Sequence, residues 1–403
     1  MSVADSTSSE LAISLGPTLP AIPERLLLAH ARGEVLFICG AGISRSAGLP
    51  DFRGLVLDIY EALDPAVHSI ITQLDPPKKT LEKIDCSSLK AQQMAEARRF
   101  AASDFDVVLG MLERRLDGQS DLASRMRQEA IRQINLKSGA PARLHKALMR
   151  LSDRGGATSV ITTNFDRLLE AASTKVGATV ESYALGSIPR PMRQTDWSGV
   201  MHIHGMIDPS PLRYSELVLS DQDFGEHYLR RRTVPDFIYD AARLYHLVLV
   251  GYSADDPPMR YLLNAVAADG RRFKDLKERF TFIGAHQEDP VLHADWSARY
   301  ITPIHYSDHN SHESLCKTLE RWANLSAHNG KPEIDDREVR RIVRKRVSNS
   351  HESDTDLFRH LFRRANSKDR ERLAKVASDA SAEITWLDEI NTACGGRSVG
   401  KTS

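Results

Sequence analysis

Cysteine is scarce and scattered: four in 403 residues, at Cys39, Cys86, Cys316 and Cys394, with no C-x-x-C pair. That spacing supports neither a zinc ribbon nor a dithiol redox motif. An excess of one charge is also lacking, since Lys+Arg and Asp+Glu both number 54 and the formal net charge is zero. A domain that grips nucleic acid shows a basic excess or a basic face. The balance therefore speaks against tight nucleic-acid binding and leaves only a local patch open. No apolar run reaches the ~18 residues of a membrane span. The first basic residue is Arg25, and no long apolar segment precedes it, so no secretory leader is expected. The expectation is a cytoplasmic protein with reduced thiols, without internal repeats or long low-complexity tracts.

What is present is ordinary globular material, 41% hydrophobic and 27% charged. Residues 1–20 are rich in Ser, Pro and small residues and are expected to form a loose arm. Residues 23–32 read as a short helix. Glu34 to Cys39 carries a continuous apolar run after its glutamate, the pattern of a strand buried on both faces. Residues 55–137 show helical periodicity and little strand character, which predicts a helical insertion. An amphipathic helix is expected over 143–152, then a second buried strand over 157–162. Further strands are expected over 199–203, 246–250, 280–284 and 300–305. Strands alternating with helices imply an α/β fold with a Rossmann-like parallel sheet. From about residue 329 the chain is charge-rich and helical, which predicts a separate C-terminal helical domain over 329–403, behind a main domain over 21–328.

Each motif with chemical content follows a predicted strand. Gly40-Ala41-Gly42-Ile43-Ser44 follows the first, and glycines there let backbone approach a phosphate at a helix N-terminus. Gly48-Leu-Pro-Asp51-Phe52-Arg53 comes next, and no structural turn requires that run. Thr162-Thr163-Asn164-Phe-Asp166 follows the second strand, His204-Gly205 a third, and Val250-Gly251-Tyr252-Ser253 a fourth. In open α/β sheets ligands bind at those carboxyl ends.

These segments, the first two counted as one of four motifs, resemble in this order the signatures of the sirtuin family over about residues 30–310. The resemblance implies NAD as ligand and substrate, and cleavage of its nicotinamide–ribose bond. Protein-deacylating sirtuins carry two Cys pairs of a zinc module between the catalytic His and the Gly-Ser loop. Residues 205–250 hold no cysteine, so no zinc and no metal is expected. In this the chain resembles bacterial anti-phage defence domains that look like NAD hydrolases rather than deacylases. Control of so toxic an activity implies self-assembly into a homo-oligomer or a partner, either a HerA-type ATPase or a nucleic-acid-guided module, and no membrane. Alternatives are an NAD or ADP-ribose sensor without turnover, or a deacylase.

On that resemblance His204 is the catalytic imidazole and Asn164 places a water or ribose hydroxyls below the anomeric carbon. Gly40, Ala41, Gly42 and Ser44 hold the diphosphate. Asp51 and Phe52 shape the nicotinamide pocket, and Arg53 meets phosphate or holds the loop. Thr163 and Asp166 complete the second motif, with Asp166 open between ligand contact and helix anchor. Gly251, Tyr252 and Ser253 face the adenosine side. Asp255 and Asp256 are read as either ribose ligands or a turn. His202, two residues before His204, reads as a metal ligand only if a third ligand exists. His145 is expected to pack. The P-loop-like Gly395–Thr402 lacks the following helix that such a loop needs. The basic stretch 337–346 follows helical spacing and is read as a protein interface.

Overall fold

A computed structural model describes residues 11–16, 18–74, 80–118, 124–155, 157–173, 180–187, 198–207, 217–252, 276–285, 289–328 and 330–394. The chain opens with a small antiparallel pair, β1 (Ala12–Ser14) and β2 (Ala21–Pro23), followed by helix α1 (Glu24–Ala31) and strand β3 (Val35–Cys39). Ile13 and Leu15 are fully buried, so the expected loose arm is ordered from residue 11 to 16. Three-residue strands are too short to show a period, and the Ser and Pro around them masked the alternation.

The seven-stranded sheet also holds β4 (Ser159–Thr162), β5 (Ser182–Ala184), β6 (Gly199–His202), β7 (His246–Val250), β8 (Arg279–Ala285) and β9 (Thr302–Ser307). Its order is β5-β6-β4-β3-β7-β8-β9, and every pair is parallel. This is the expected Rossmann-like architecture. The unanticipated member is β5, a polar edge strand of three residues. Along β3, Val35, Phe37 and Cys39 enter one core, while Leu36 and Ile38 enter the other. Burial of both faces is why that run is continuously apolar.

Register places the functional segments. Cys39 lies opposite Thr162 on one side and Val250 on the other, and Thr162 lies opposite His202. These strands therefore end in one row, and the turns beginning at Gly40, Thr163, Ile203 and Gly251 leave the same edge together. The chain builds outward from β3 through β4 and β6, then returns to build outward through β7. The crevice between β3 and β7 is the topological switch point, where such sheets bind ligands.

The insertion after β3 holds α2 (Phe52–Leu63), α3 (Pro65–Ile71), α4 (Ala91–Ala101), α5 (Phe105–Asp117) and α6 (Arg125–Lys137) around a core of its own. Asp51 starts α2 by accepting the Gly54 N–H at 2.8 Å. Two buried ion networks lock it. Arg115 bridges Glu96 and Asp64, both at 2.7 Å. Arg127, 1% exposed, bridges Glu113 at 2.9 Å and Asp223 at 2.7 Å. The second network ties the insertion to the segment after β6, because Asp223 belongs to the short helix α9 (Asp221–Phe224). Between them lie α7 (Arg143–Ser152) and α8 (Leu168–Ala171), and α10 (Thr233–Leu244) follows.

After α11 (Pro290–Ala298) and α12 (His309–Asn324) the C-terminal region is helical, as expected: α13 (Pro332–Val343), α14 (Glu352–Arg364), α15 (Ser367–Asp379) and α16 (Ile384–Ala393). Its apolar residues do not enclose a core of their own. Val339, Ile342, Phe358, Phe362 and Trp386 belong to the same buried cluster as Phe37, Trp322, Ile13 and Ile22. Buried Glu24 of α1 accepts His360 Nδ1 at 3.1 Å and Arg363 Nε at 2.7 Å. Burial pushes the Glu24 carboxyl up, but these two partners bring it below its usual range. Among the described residues no helix is long and apolar enough to cross a membrane. The P-loop-like segment lies outside the described residues.

A shared core makes unfolding of the tail and the sheet one event. Phe358→Ala is expected to cost about 3–5 kcal/mol. Urea unfolding followed by tryptophan fluorescence and by far-ultraviolet circular dichroism should give coincident transitions in both proteins. Separate transitions, with only the tail displaced, would show an independent unit.

Candidate active-site cleft

A solvent-open cleft of about 670 Å³, counting the space at its mouth, lies at the carboxyl edge beside β3, β4 and β6. Four sequence segments meet in it. Ala41 and Ser44 come from the turn after β3, Asp51 and Phe52 from the start of α2, Thr163, Asn164 and Asp166 from the turn after β4, and His204 from the turn after β6. Apolar side chains close the rest, among them Leu49, Ile134 of α6, Val218 and Phe224.

The centre is the Ser44 hydroxyl, 2% exposed. It lies 3.0 Å from Asp166 Oδ2, 3.0 Å from Asn164 Nδ2 and 3.2 Å from His145 Nε2. Donor counting settles the directions. The Ala142 N–H donates to His145 Nδ1 at 3.2 Å, so that nitrogen is bare and Nε2 carries the hydrogen. Nε2–H and the Asn164 amide then both donate to Ser44 Oγ, and the one hydroxyl hydrogen goes to Asp166. The valence of Ser44 is used completely. The Asn164 amide is thereby oriented with its nitrogen on Ser44. Among the described residues its Oδ1 takes no hydrogen bond, and Asn164 lines the cleft.

Ser44 was expected to meet phosphate; the structure instead spends its hydroxyl holding Asn164 and Asp166. Of its two open readings, the structure shows Asp166 as the helix anchor. Oδ1 accepts the Leu168 N–H at 3.0 Å and anchors α8, while Oδ2 takes Ser44. Burial raises its carboxyl above the usual value. His145, read as packing, is a hub member; burial lowers it to about 4 and keeps it neutral.

The backbone of Asn164 is clamped at both ends. Its N–H donates to Thr162 Oγ1 at 3.0 Å, and its carbonyl takes His202 Nδ1–H at 2.9 Å. His202 Nε2 faces Glu170 Oε1 at 2.9 Å, and Ser182 donates to the same oxygen at 2.6 Å. Burial pushes the Glu170 carboxyl up, but the His202 contact outweighs it and the net direction is down. Both ring nitrogens of His202 therefore face protein acceptors, which removes it as a metal ligand. Among the described residues no group of three or more His, Cys, Asp or Glu side chains is placed to hold a metal ion.

His204 is 4% exposed. Burial, with a smaller contribution from nearby His227, lowers its imidazole to about 3. Its Nε2 makes a short hydrogen bond to the Tyr228 hydroxyl. The rings of Phe224 and Tyr228 meet it edge-on at 5.6 and 5.8 Å between centroids.

Other predicted residues lie elsewhere. Gly40 and Gly42 are packed against the turn after β7. A Cβ on Gly40 would fall 2.6 Å from the Tyr252 ring, and one on Gly42 would fall 2.9 Å from the Gly251 Cα. Gly251 itself has φ +78°, a region that favours glycine. The Gly42 N–H donates to the Gly251 carbonyl at 3.0 Å, and Tyr252 Oη donates to the Cys39 carbonyl at 3.0 Å and contacts Thr163 Oγ1 at 3.0 Å. In this conformation the glycines admit neighbouring protein where phosphate was expected. Arg53 turns away from the cleft: it donates to the Leu74 carbonyl at 3.3 Å and lies over the Phe100 ring. Ser253, Asp255 and Asp256 lie outside the described residues. Tyr228, Glu170 and the apolar residues Ile134 and Phe224 were not singled out. Only the i, i+4 pair of Phe224 and Tyr228 on one helical face gave any signal.

Compared with known proteins, residues 158–304 match the family model of the SIR2-like domain. The chain is similar to the uncharacterized protein y4cA of Sinorhizobium fredii (strain NBRC 101917 / NGR234), 32% identical over 366 residues, which are 86% of this chain and 28% of that protein. The chain thus spans little more than a quarter of that relative's length. A solved structure from work on the structural basis for the mechanism and regulation of Sir2 enzymes aligns with a TM-score of 0.34 at 16% identity, over 75% of this chain and 97% of its own.

The hub makes stability depend on pH. An unfolded histidine titrates near 6.5, whereas folded His145 stays neutral down to about 4. Between those values the unfolded chain binds more protons. Stability contributed by this group is complete above pH 6.5 and falls as pH drops toward 4, by about 1.4 kcal/mol per pH unit. His145→Gln should flatten that slope by one proton in urea unfolding at stepped pH. Ser44→Ala strands the Asn164 amide and should cost about 1–3 kcal/mol at pH 7.

Proposed function

We propose that this cleft binds NAD and cleaves the bond between nicotinamide and ribose, giving nicotinamide and ADP-ribose. The observation that carries the reading is the meeting of Asn164 and His204 in one cleft. Two strand ends far apart in sequence deliver them there, and each is held by partners that fix its polarity. The resemblance of four ordered motifs and the SIR2-like match over residues 158–304 support the choice of ligand.

Departure of nicotinamide leaves an oxocarbenium-like ribose, a strong electrophile. Capture by water then needs placement more than a strong base, and the proton that the water sheds passes to solvent at the open mouth of the cleft. Asn164 supplies it through Oδ1, the open acceptor that Ser44 leaves pointing away from the hub. Neutral His204 holds a ribose hydroxyl or the water by hydrogen bonding. Asp51 and Phe52 bound the place where nicotinamide separates. Leu49, Ile134 and Phe224 line the cleft with apolar surface, which strengthens the polar contacts once a ligand fills it. The diphosphate is assigned to the switch-point crevice by the Gly40–Ile43 turn, and Tyr252 must withdraw to admit it.

We further propose that the activity is held in check and released by assembly or a partner, as an effector of anti-phage defence that drains NAD. The full chain should release nicotinamide from NAD, measured by chromatography of the products with and without candidate partners. Asn164→Ala and His204→Ala should each lower turnover by about 10²-fold or more. Tight NAD binding without turnover under every condition would overturn the hydrolase reading in favour of a sensor.

A further inference from the structure

The segment carrying Tyr228 is built unlike its surroundings. Gly225–Arg230 forms a single stretch of π-helix between α9 and α10. Such turns are rare and recur at functional sites. Both ends are pinned. At the start, Ser220 caps α9, and Asp223 is held by buried Arg127 at 2.8 and 2.7 Å. At the end, Arg232 adopts φ +55°, a left-handed conformation that costs energy outside glycine. This frame sets the Tyr228 ring 5.3 Å from Phe224 and brings its hydroxyl onto His204 Nε2.

The hydrogen in that contact has one sensible owner. A neutral imidazole carries one N–H and one bare nitrogen. A phenol O–H is a far stronger acid than an imidazole N–H, so in a short contact the phenol donates and Nε2 accepts. The ring hydrogen then sits on Nδ1. Desolvation keeps the ring neutral, as its lowering to about 3 indicates, and a second hydrogen on Nε2 would have to displace the phenolic one.

We propose that Tyr228 is a positioning residue that fixes His204 as its Nδ1–H tautomer, so that His204 serves the cleft as a hydrogen-bond donor to a ribose hydroxyl and not as a proton acceptor. This rests on the reading of the cleft as an NAD-cleaving site for the identity of the hydroxyl, but not for the tautomer. The consequence for chemistry is specific. The imidazole cannot take a proton at Nδ1, and Nε2 is occupied. Rate then depends on holding the sugar while the bond to nicotinamide breaks.

Tyr228→Phe tests this with little disturbance, because the ring stays packed between Phe224 and His204 and only the hydroxyl goes. The full chain is labelled with ¹⁵N-histidine, and the His204 signals are assigned by their loss in His204→Gln. In the unmodified protein Nδ1 should be protonated and Nε2 bare, unchanged from pH 8 to pH 5. In Tyr228→Phe the two tautomers should mix. In parallel, kcat for NAD should fall by about 10²-fold with KM nearly unchanged and the melting temperature preserved. A protonated Nε2 in the unmodified protein overturns the proposal, and so does an unaltered tautomer in Tyr228→Phe. A protein with the expected tautomer that never cleaves NAD leaves the Tyr228 assignment standing and removes the hydrolase reading instead.

Discussion

The cleft depends on one oxygen atom. Ser44 Oγ has one hydrogen to give and two lone pairs to receive with, and Asp166, Asn164 and His145 take all three. Three elements converge on it: the turn after β3, the turn after β4 and the first turns of α7. Buried polar groups are costly when unmatched, so the arrangement has one low-energy polarity. Turning the Asn164 amide over would set an oxygen against a filled lone pair. The side of that amide left open to the cleft is therefore decided by a backbone N–H at Ala142, one residue outside the helix that carries His145.

The same logic repeats around the cleft. His202 and Glu170 hold the Asn164 carbonyl from behind, and Tyr228 holds His204. Each group that faces the cleft is braced by one that does not. Neutrality is a second shared feature. Burial lowers His145 to about 4 and His204 to about 3, so neither adds positive charge to the cleft. For the cleavage proposed above, a charged imidazole would oppose a cationic transition state, while neutral dipoles do not.

The walls are supplied from a distance. Ile134 reaches the cleft from the insertion and Phe224 from α9, and the Arg127 network joins those two parts through Glu113 and Asp223. The C-terminal helices brace the other face of the sheet by sharing its core with Phe37 and Trp322. The insertion therefore shapes the cleft directly, and the tail bears on it through the sheet.

Much of this was legible in the residues. Runs such as Val35–Cys39 and 247–250 are apolar throughout because both faces of a parallel strand are buried. That pattern, alternating with amphipathic helices, is local and survives in sequence. So did the placement of Asn164 and His204 at strand ends, because the motifs abut those strands. What local pattern could not carry was anything set by donor counting or by contacts far apart in the chain. Ser44 became a hub because His145, 101 residues away, points a hydrogen at it. Arg53 turned outward because the insertion offers it Phe100 and the Leu74 carbonyl. The tail joined the main core because β1, too short to show a period, left an apolar surface for it. Strand, turn and residue type were determined by neighbours in sequence; polarity, tautomer and partnership were decided only where the folded chain brought distant donors and acceptors within about 3 Å of one another.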